Sequence, residues 1–245
     1  TPEARSAATD WIGSLDPDRQ DCITNGYDAA DFVDADTRHA GDEFRIVHTG
    51  YLHTAMGKAH RGRSALQRRL GGELFPVDFM TRSHCFLLDA LERVQAEHPE
   101  ASEKIELRLA GVLSRDDKER IEASSFRSKV VELGYLDHHA TVREMLESDL
   151  LFLPMHDLPA GPRARIVPGK TYEYLATGRP ILAAVPAGDA QDFVRAADAG
   201  RIVAPYDVDA MFEAILTELA ASPRPRRETG WQIARFERRA LTEAL

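Results

Sequence analysis

From Phe44 onward, short apolar segments alternate with helical segments, and this alternation constrains the fold more than any other feature. The apolar segments are FRIVHTGYL, KIELRLAG, KVVELGYL, LLFLPM, RPILAAVP and RIVAPY. Each has the length of a strand, and several are apolar without interruption, as strands buried on both faces are. Strands that alternate with helices in this way indicate a parallel sheet. The predicted fold class is therefore α/β, a Rossmann-like parallel sheet with helices on both faces.

The composition excludes several classes of protein. A net charge of −9 argues against a general nucleic-acid binder, so we predict no nucleic-acid partner. Cys22 and Cys85 are the two cysteines, too few for a disulfide framework or a cysteine-based zinc site. The nine histidines show no recurring spacing with glutamate, and we predict no metal site. No apolar run has the length of a membrane span, and so few cysteines fit a reducing compartment, so we predict a cytoplasmic protein.

The chain divides into three predicted parts, at residues 1–42, 43–222 and 223–245. The first contains a helix over residues 1–15 and a short strand over residues 21–28, followed by a polar linker. The second holds the alternating strands and helices. The third is a linker rich in proline and arginine, followed by an amphipathic helix from Trp231.

An insertion over residues 53–80 separates the first strand from its helix and is basic in an otherwise acidic chain. Its cationic residues are Lys58, Arg61, Arg63, Arg68 and Arg69. We favour a mobile, solvated loop, because a connection this long is typically either functional or disordered. The alternative is that SALQRRL forms an amphipathic helix at the mouth of a cleft, where it meets a lipid phosphate or an anionic membrane. The protein would then also contact the inner membrane face peripherally.

The segment PGKTYEYLATGRPIL, from Pro168 to Leu182, opens a predicted helix between two strands. The N-terminus of a helix attracts phosphate through its free N–H groups, and Gly169 lets a ligand approach the backbone. Lys170 adds a positive charge, and Glu173 lies one turn later on the same face. A carboxylate there can accept two hydrogen bonds from a ribose diol. The alternative is that Lys170 and Glu173 form a surface ion pair, and the spacing leaves both open.

Ligands of open parallel sheets bind beyond the carboxyl ends of the strands. The residues that follow the first strand are Gly50 and Tyr51, and those that follow the third strand are Gly134, Tyr135 and Leu136. Tyr51 either lies near a ligand or packs within the fold. The strand pattern therefore adds these five positions to the candidate ligand-binding residues.

The chain resembles the C-terminal half of a GT-B glycosyltransferase, of the retaining type in the family-four group, over roughly residues 22–220. The most specific match is PGKTYEYLATGRPILA, which is similar to the K-x-Y-E-Y-L-A-x-G-x-P signature of a large subgroup. IVHTGYL resembles the first strand and glycine loop of the donor-binding domain. VELGYL resembles the strand that borders the nucleotide base, and LLFLPM resembles the strand before the signature. RSHCFLLDAL occupies the place of a lysine-glycine segment and is a weaker match.

The resemblance implies the roles of individual residues. Glu173 corresponds to the second carboxylate of a Glu-x7-Glu motif, which binds ribose, whereas the first carboxylate is replaced by Arg165. Either Asp157 substitutes for it or recognition of the donor sugar differs. Arg82 stands where a phosphate-binding lysine is usual. The complete set of predicted donor-binding residues is Gly50, Tyr51, Arg82, Gly134, Tyr135, Leu136, Gly169, Lys170, Thr171 and Glu173.

The resemblance also implies a function in glycan biosynthesis: transfer of a sugar from a nucleotide-diphosphate donor to a glycan or lipid-linked acceptor, with no metal or other cofactor. It implies that this chain is the donor-binding half of the enzyme and that residues 1–42 belong with a missing N-terminal domain. No catalytic residue is assigned. The alternatives are a sugar-nucleotide epimerase of the same fold and a non-catalytic interaction module derived from it.

Overall fold

The computed structural model describes residues 1–12, 22–32, 39, 41–70, 77–159, 161–223, 227 and 231–243. Its centre is a six-stranded sheet in the order β3-β2-β1-β4-β5-β6, with every neighbouring pair parallel. The strands are β1 Phe44–Thr49, β2 Ile105–Ala110, β3 Val130–Gly134, β4 Leu150–Pro154, β5 Ile181–Ala184 and β6 Gly200–Val203. The predicted α/β fold with a Rossmann-like parallel sheet is confirmed.

The described helices flank and connect these strands. They are α1 Pro2–Ile12, α2 Thr54–Arg69, α3 Cys85–Glu97, α4 Pro99–Ser102, α5 Arg115–Glu122, α6 His138–Leu146, α7 Gly169–Thr177, α8 Asp189–Ala196, α9 Val208–Ala220, α10 Trp231–Ala234 and α11 Arg238–Glu243. Side chains cap several of them; for example, the Asp137 carboxylate accepts a hydrogen bond from Ala140 N at 2.8 Å and starts α6. None of the helices in the described ranges combines the length and the apolar character that a membrane span requires.

Both faces of the sheet are buried, which explains why β4 and β5 are continuously apolar. Along β4, Leu150 and Phe152 join a core with α3 and α9, whereas Leu151 and Leu153 join a second core with α6, α7 and α8. Neighbouring side chains of a strand point to opposite faces, so a sheet covered on both sides requires apolar residues at every position.

The order of the strands reverses between β1 and β4. The chain proceeds from β1 through β2 to β3 in one direction and from β4 through β5 to β6 in the other. Such a reversal leaves a crevice at the carboxyl ends of the two central strands, because their following loops turn away from each other. The fold therefore places the loop after β1 and the N-terminus of α7 at the edge where a ligand is expected.

The prediction of a mobile loop over residues 53–80 is wrong for the described part, because Thr54–Arg69 forms helix α2. The helix is anchored by residues distant in sequence: Lys58 Nζ donates to Asp116 at 2.6 Å, and Arg61 to Asp78 at 2.7 Å. Thr54 Oγ1 also donates to the buried carboxylate of Asp117. The Arg68 side chain and residues 71–76 lie outside the described residues.

The predicted strand over residues 21–28 is also wrong for its described residues. Only Tyr27 pairs there, through a bridge to the segment between α10 and α11, in which Tyr27 N donates to Phe236 O at 3.1 Å. The sequence predicts a single amphipathic helix from Trp231, but the structure has two short helices there, α10 and α11. Phe236 between them contacts Tyr172 and Phe193, with ring centroids 5.0 and 4.8 Å apart, and this joins both ends of the chain to the core.

Candidate functional site

A cavity of about 290 Å³ opens at the carboxyl ends of β1, β2 and β3, beside the first turn of α7. It is lined by Thr49, Gly50, Tyr51, Ala110, Gly111, Val112, Tyr135, Leu136, Thr141, Lys170 and Glu173. We call it the switch-point cavity. Most of the predicted donor-binding residues line it, namely Gly50, Tyr51, Tyr135, Leu136, Lys170 and Glu173.

Glycines bring the strand ends together at this cavity. Gly50 has φ +99° and Gly111 has φ +140°, which other residues rarely adopt. A Cβ atom on Gly111 would lie 2.7 Å from Gly50 O, and one on Gly50 would lie 2.9 Å from Lys170 Nζ. Gly134 ends β3 with φ +67°, and its carbonyl accepts from Gly111 N at 2.7 Å. Three successive loops therefore meet at one edge of the sheet.

Lys170 is directed toward the end of β1. Its ammonium donates to Thr49 O and lies 3.4 Å from His48 Nε2. Among the ion pairs of the described residues, none joins Lys170 to Glu173. Glu173 is partly buried, lines the cavity and has no hydrogen-bond or ion-pair partner in the described part of the chain. The two side chains therefore do not form the surface ion pair, and each is available to a ligand.

The electrostatics around Lys170 follow from burial. His48 is fully buried, and its Nδ1 lies 3.0 Å from Phe152 O, which can only accept, so Nδ1 carries the hydrogen. Burial and the neighbouring Lys170 charge hold the pKa of His48 well below its ordinary value, which leaves its Nε2 free to accept from Lys170. Burial and the Arg82 charge lower the pKa of Lys170 to about 7, although Glu173 opposes this.

Tyr174 fixes the position of α7 against β1. Its buried hydroxyl accepts a hydrogen bond from Thr49 N at 2.9 Å, while burial raises its pKa to about 12. The sequence alone predicts no role for Tyr174 or His48. Tyr174 stands four residues after Lys170 and hence on the same helix face, and His48 is a polar residue inside an apolar strand, so both signals were present.

Replacing Tyr174 with phenylalanine should destabilise the fold by about 1–3 kcal/mol, because Thr49 N–H would remain buried without an acceptor. Urea denaturation of the variant measures this loss. Tyr135→Phe is the matched control, since Tyr135 is 81% exposed. Equal stability of the two variants would show that the Tyr174 hydroxyl does not hold α7 in place.

Arg82 lies outside the cavity lining, but its charge acts on groups at the same edge of the sheet. Its guanidinium is partly buried and, within the described ranges, has no acidic partner, while its carbonyl accepts from His53 N at 2.8 Å. Its charge lowers the pKa values of His48, His53 and Lys170, which places it close to all three. A cation that is half-buried and lacks a carboxylate partner is suited to an anionic ligand.

The two other predicted residues of α7 differ in exposure. Gly169 is exposed, and a Cβ atom there would point into open space, so the front of the helix is unobstructed. Thr171 is fully buried, and its Oγ1 has no hydrogen-bond partner in the described part of the chain. The Thr171 side chain is thus not part of the cavity lining.

Arg165 stands at the position of the first carboxylate of the Glu-x7-Glu motif, and Asp157 is its possible substitute. Neither residue lines the switch-point cavity. Arg165 is exposed, and its carbonyl accepts from Thr1 Oγ1 at 2.7 Å. Asp157 lines a different cavity, on the far side of β4. Neither residue brings a carboxylate to the switch-point cavity.

Two histidines without a predicted role, His53 and His156, pair with each other near Arg82. His53 Nδ1 lies 2.8 Å from His156 Nε2, and one of the two nitrogens donates. Burial lowers both pKa values, that of His156 to about 4, so the pair is neutral at pH 7. Within the described residues, no group of three or more histidine, cysteine or acidic side chains is arranged to hold a metal ion.

The family model of glycosyl transferases group 1 matches residues 77–221, which include β2 to β6 and most of the crevice. The chain belongs to this family. Membership of a glycosyltransferase family confirms the prediction of a glycosyltransferase-type enzyme domain. The comparison with curated proteins found no match.

Solved glycosyltransferases share the fold at low sequence identity. Sucrose-phosphate synthase from Thermosynechococcus elongatus is 17% identical with a TM-score of 0.63, over 100% of this chain and 55% of the other. The lipopolysaccharide outer core galactosyltransferase WaaB is 10% identical with a TM-score of 0.60, over 96% and 57%. AviGT4, a glycosyltransferase involved in avilamycin A biosynthesis, is 15% identical with a TM-score of 0.58, over 97% and 59%. The chain thus has a GT-B-type Rossmann-like fold and spans little more than half the length of these proteins.

Proposed function

We propose that this chain is the nucleotide-sugar-binding half of a retaining GT-B glycosyltransferase of the family-four group. The observation that carries the proposal is the arrangement at the N-terminus of α7, where Lys170 and Glu173 face one cavity without pairing. The single parallel sheet, and the match to about half of larger glycosyltransferases, support a donor domain over residues 43–222. Residues 1–42 and 223–245 would then adjoin an N-terminal partner domain.

The diphosphate would bind between the N-terminus of α7 and the loop after β1. Lys170 would exchange its bond to Thr49 O for one to a phosphate oxygen, and Gly169 leaves room for the diphosphate in front of the helix. Arg82, which lacks an acidic partner in the described ranges, would add a second charge. These positive groups would stabilise the leaving diphosphate, so we propose transfer without a resident metal or other cofactor.

The nucleoside would occupy the other end of the switch-point cavity. Glu173 would accept hydrogen bonds from the ribose hydroxyls. The aromatic rings of Tyr51 and Tyr135 are 65% and 81% exposed and border the cavity, so each offers a face on which a base can stack. Leu136 and Gly134 would border the base through the backbone after β3. The acceptor would be a glycan or a lipid-linked saccharide.

Calorimetric titration with UDP and GDP tests the proposal. We expect weak but saturable binding of at least one of them by this chain, with the same dissociation constant in EDTA and in magnesium. Failure of both nucleotides to bind would contradict the assignment of the cavity, and strict dependence on magnesium would contradict the proposed role of the cationic side chains. In a transfer assay, this chain alone should bind the donor without forming product.

Affinity for UDP-glucose should fall as the pH rises above 7. The pKa of Lys170 in the free protein is about 7, and a bound diphosphate should raise it, whereas Arg82 stays charged and His48 stays neutral. The contribution of the Lys170 charge is therefore complete below pH 7 and is lost as the pH rises through the pKa of the complex. Calorimetric titrations between about pH 6 and pH 8.5 measure this change in affinity. Repeating them in buffers of different ionisation enthalpy gives the number of protons taken up when the nucleotide-sugar binds.

Lys170→Met is the control for this pH dependence, because it removes the titrating group and keeps the length of the side chain. The variant should bind UDP-glucose weakly and with little change over the same range. The diphosphate diester of UDP-glucose does not itself titrate there. A pH-independent affinity in the unmodified protein would contradict the assignment of a titrating Lys170 to the diphosphate.

A non-catalytic module is the second candidate, and the exposed Arg165 in place of the first carboxylate favours it. Such a module would bind a nucleotide without supporting transfer by any longer form of the protein. Assaying a longer form with a panel of nucleotide-sugars separates the two candidates, and the same assay without acceptor detects an epimerase through interconversion of the donor.

A further inference from the structure

A second cavity, of about 510 Å³, lies at the same edge of the sheet but beyond β4. It is lined by residues 157–159 and 161–162 after β4, residues 185–187 after β5, Gln191 and Arg195 on α8, and residues 202–206 at the end of β6. None of these residues lines the switch-point cavity. The proposed nucleotide site leaves this cavity without a role.

The lining combines an aromatic surface with a few polar groups. The Tyr206 side chain is 56% exposed, and Pro186 and Pro205 form apolar walls beside it. Arg195 Nη2 donates to Gln191 Oε1 at 3.0 Å, which leaves the amide N–H groups of Gln191 as donors. Asp157 also lines the cavity, and its carboxyl group, which accepts from the Leu158 backbone, has further lone pairs that can act as the complementary acceptor.

The electrostatics of the cavity fit a neutral ligand better than an anion. Arg195 forms an ion pair with Asp192 at 3.2 Å. Asp192 also pairs with Arg163, whose second partner is Glu3, so the two cations are balanced by two carboxylates. Asp157 adds a negative charge to the lining, and burial raises the pKa of this carboxyl. A phosphate at this position would face that carboxylate. This distinguishes the second cavity from the cationic switch-point cavity.

The polar part of the lining is held in place by the surrounding backbone. Asp157 N donates to Thr81 Oγ1 at 2.7 Å, and Asp157 O accepts from Asp78 N at 3.1 Å. On the opposite side Ala164 bridges Gly188, where a Cβ atom would lie 2.5 Å from Ala164 O. Because both loops are tied down, little conformational freedom would be lost on binding.

We propose that the second cavity binds a neutral saccharide. The C–H face of a pyranose ring would lie against Tyr206. Asp157 would accept a hydrogen bond from one sugar hydroxyl, and Gln191 would donate a hydrogen bond to a neighbouring hydroxyl. The volume is in the range of small-ligand sites. Its use as an acceptor site rests on the proposed function, whereas saccharide binding itself does not.

Titration of the ¹⁵N-labelled chain with methyl α-D-glucopyranoside, methyl β-D-galactopyranoside, maltose and cellobiose tests this. At millimolar concentration at least one saccharide should shift the amide resonances of Gly161, Ala187 and Tyr206. Tyr206→Ala and Asp157→Asn should each weaken its binding by roughly tenfold, about 1.4 kcal/mol. Tyr135→Ala in the switch-point cavity is the matched control and should leave saccharide binding unchanged.

Three outcomes would overturn the inference: no shift with any of the four saccharides, shifts confined to the switch-point cavity, or unchanged affinity in both Tyr206→Ala and Asp157→Asn. A UDP titration of the same variants separates this result from the proposed nucleotide site. UDP should bind Tyr206→Ala normally, and UDP binding without saccharide binding would reject the second site alone.

Discussion

Replacing Lys170 with alanine is expected to weaken the binding of UDP or GDP by about ten- to hundredfold and to leave nucleoside binding nearly unchanged. Its ammonium is the cation directed at the end of β1, and a hydrogen bond to a charged group contributes about 1.5–3 kcal/mol. The loss should decrease as salt rises, because charges at a partly open site are screened. Calorimetry with UDP, UMP and uridine, and with the guanine set, measures the difference.

Lys104→Ala is the matched control, because it removes an exposed lysine at the amino edge of the sheet, opposite the cavity. It should leave all affinities unchanged. Arg82→Ala should resemble Lys170→Ala, since the Arg82 charge acts on Lys170 and His48 at the same edge of the sheet. If Lys170→Ala and Lys104→Ala bound UDP and GDP equally well, the diphosphate would not lie at the N-terminus of α7.

Glu173→Gln is expected to weaken binding of the ribonucleotide by about tenfold or more and binding of the 2′-deoxynucleotide much less. The substitution keeps the shape of the side chain but removes the charge from its bonds to the ribose hydroxyls, where a charged partner contributes about 1.5–3 kcal/mol. The 2′-deoxy analogue has already lost one of these hydroxyls. Titration with UDP and 2′-deoxy-UDP, or with GDP and 2′-deoxy-GDP, measures both effects.

Glu213→Gln on the exposed side of α9 controls for the change in net charge. It should not distinguish the two nucleotides. An equal loss of affinity for the ribo and 2′-deoxy forms in Glu173→Gln would assign Glu173 to a part of the ligand other than the ribose diol.

The elements that local patterns determine could be predicted from the sequence. Each strand of the sheet coincides with a short, mainly apolar run, and the glycines after β1 and at the end of β3 mark the edge where the cavity opens. The lysine and glutamate of α7 could be predicted to share a face, because residues three apart on a helix do so. The surface ion pair could not be excluded, since the direction of Lys170 depends on Thr49, which is far away in sequence.

The features that could not be predicted depend on contacts between distant parts of the chain. Helix α2 is held by the acidic residues Asp78 and Asp116, and nothing within its own sequence indicates these partners. The predicted strand at residues 21–28 pairs only at Tyr27, because its neighbour is the segment around Phe236 and not the sheet. The second cavity likewise joins residues from three separate loops, so no single motif could reveal it.

Mapping the UDP and GDP contacts on the ¹⁵N-labelled chain tests the central claim most directly. Saturating nucleotide should shift the amide resonances of Gly50, Gly111, Leu136, Lys170 and Glu173, because these surround the switch-point cavity. The resonances of Ala101 and Lys104, which border a cavity of about 720 Å³ at the opposite edge of the sheet, should stay unchanged. Shifts at Ala101 and Lys104 with none at Gly50 and Lys170 would contradict the account.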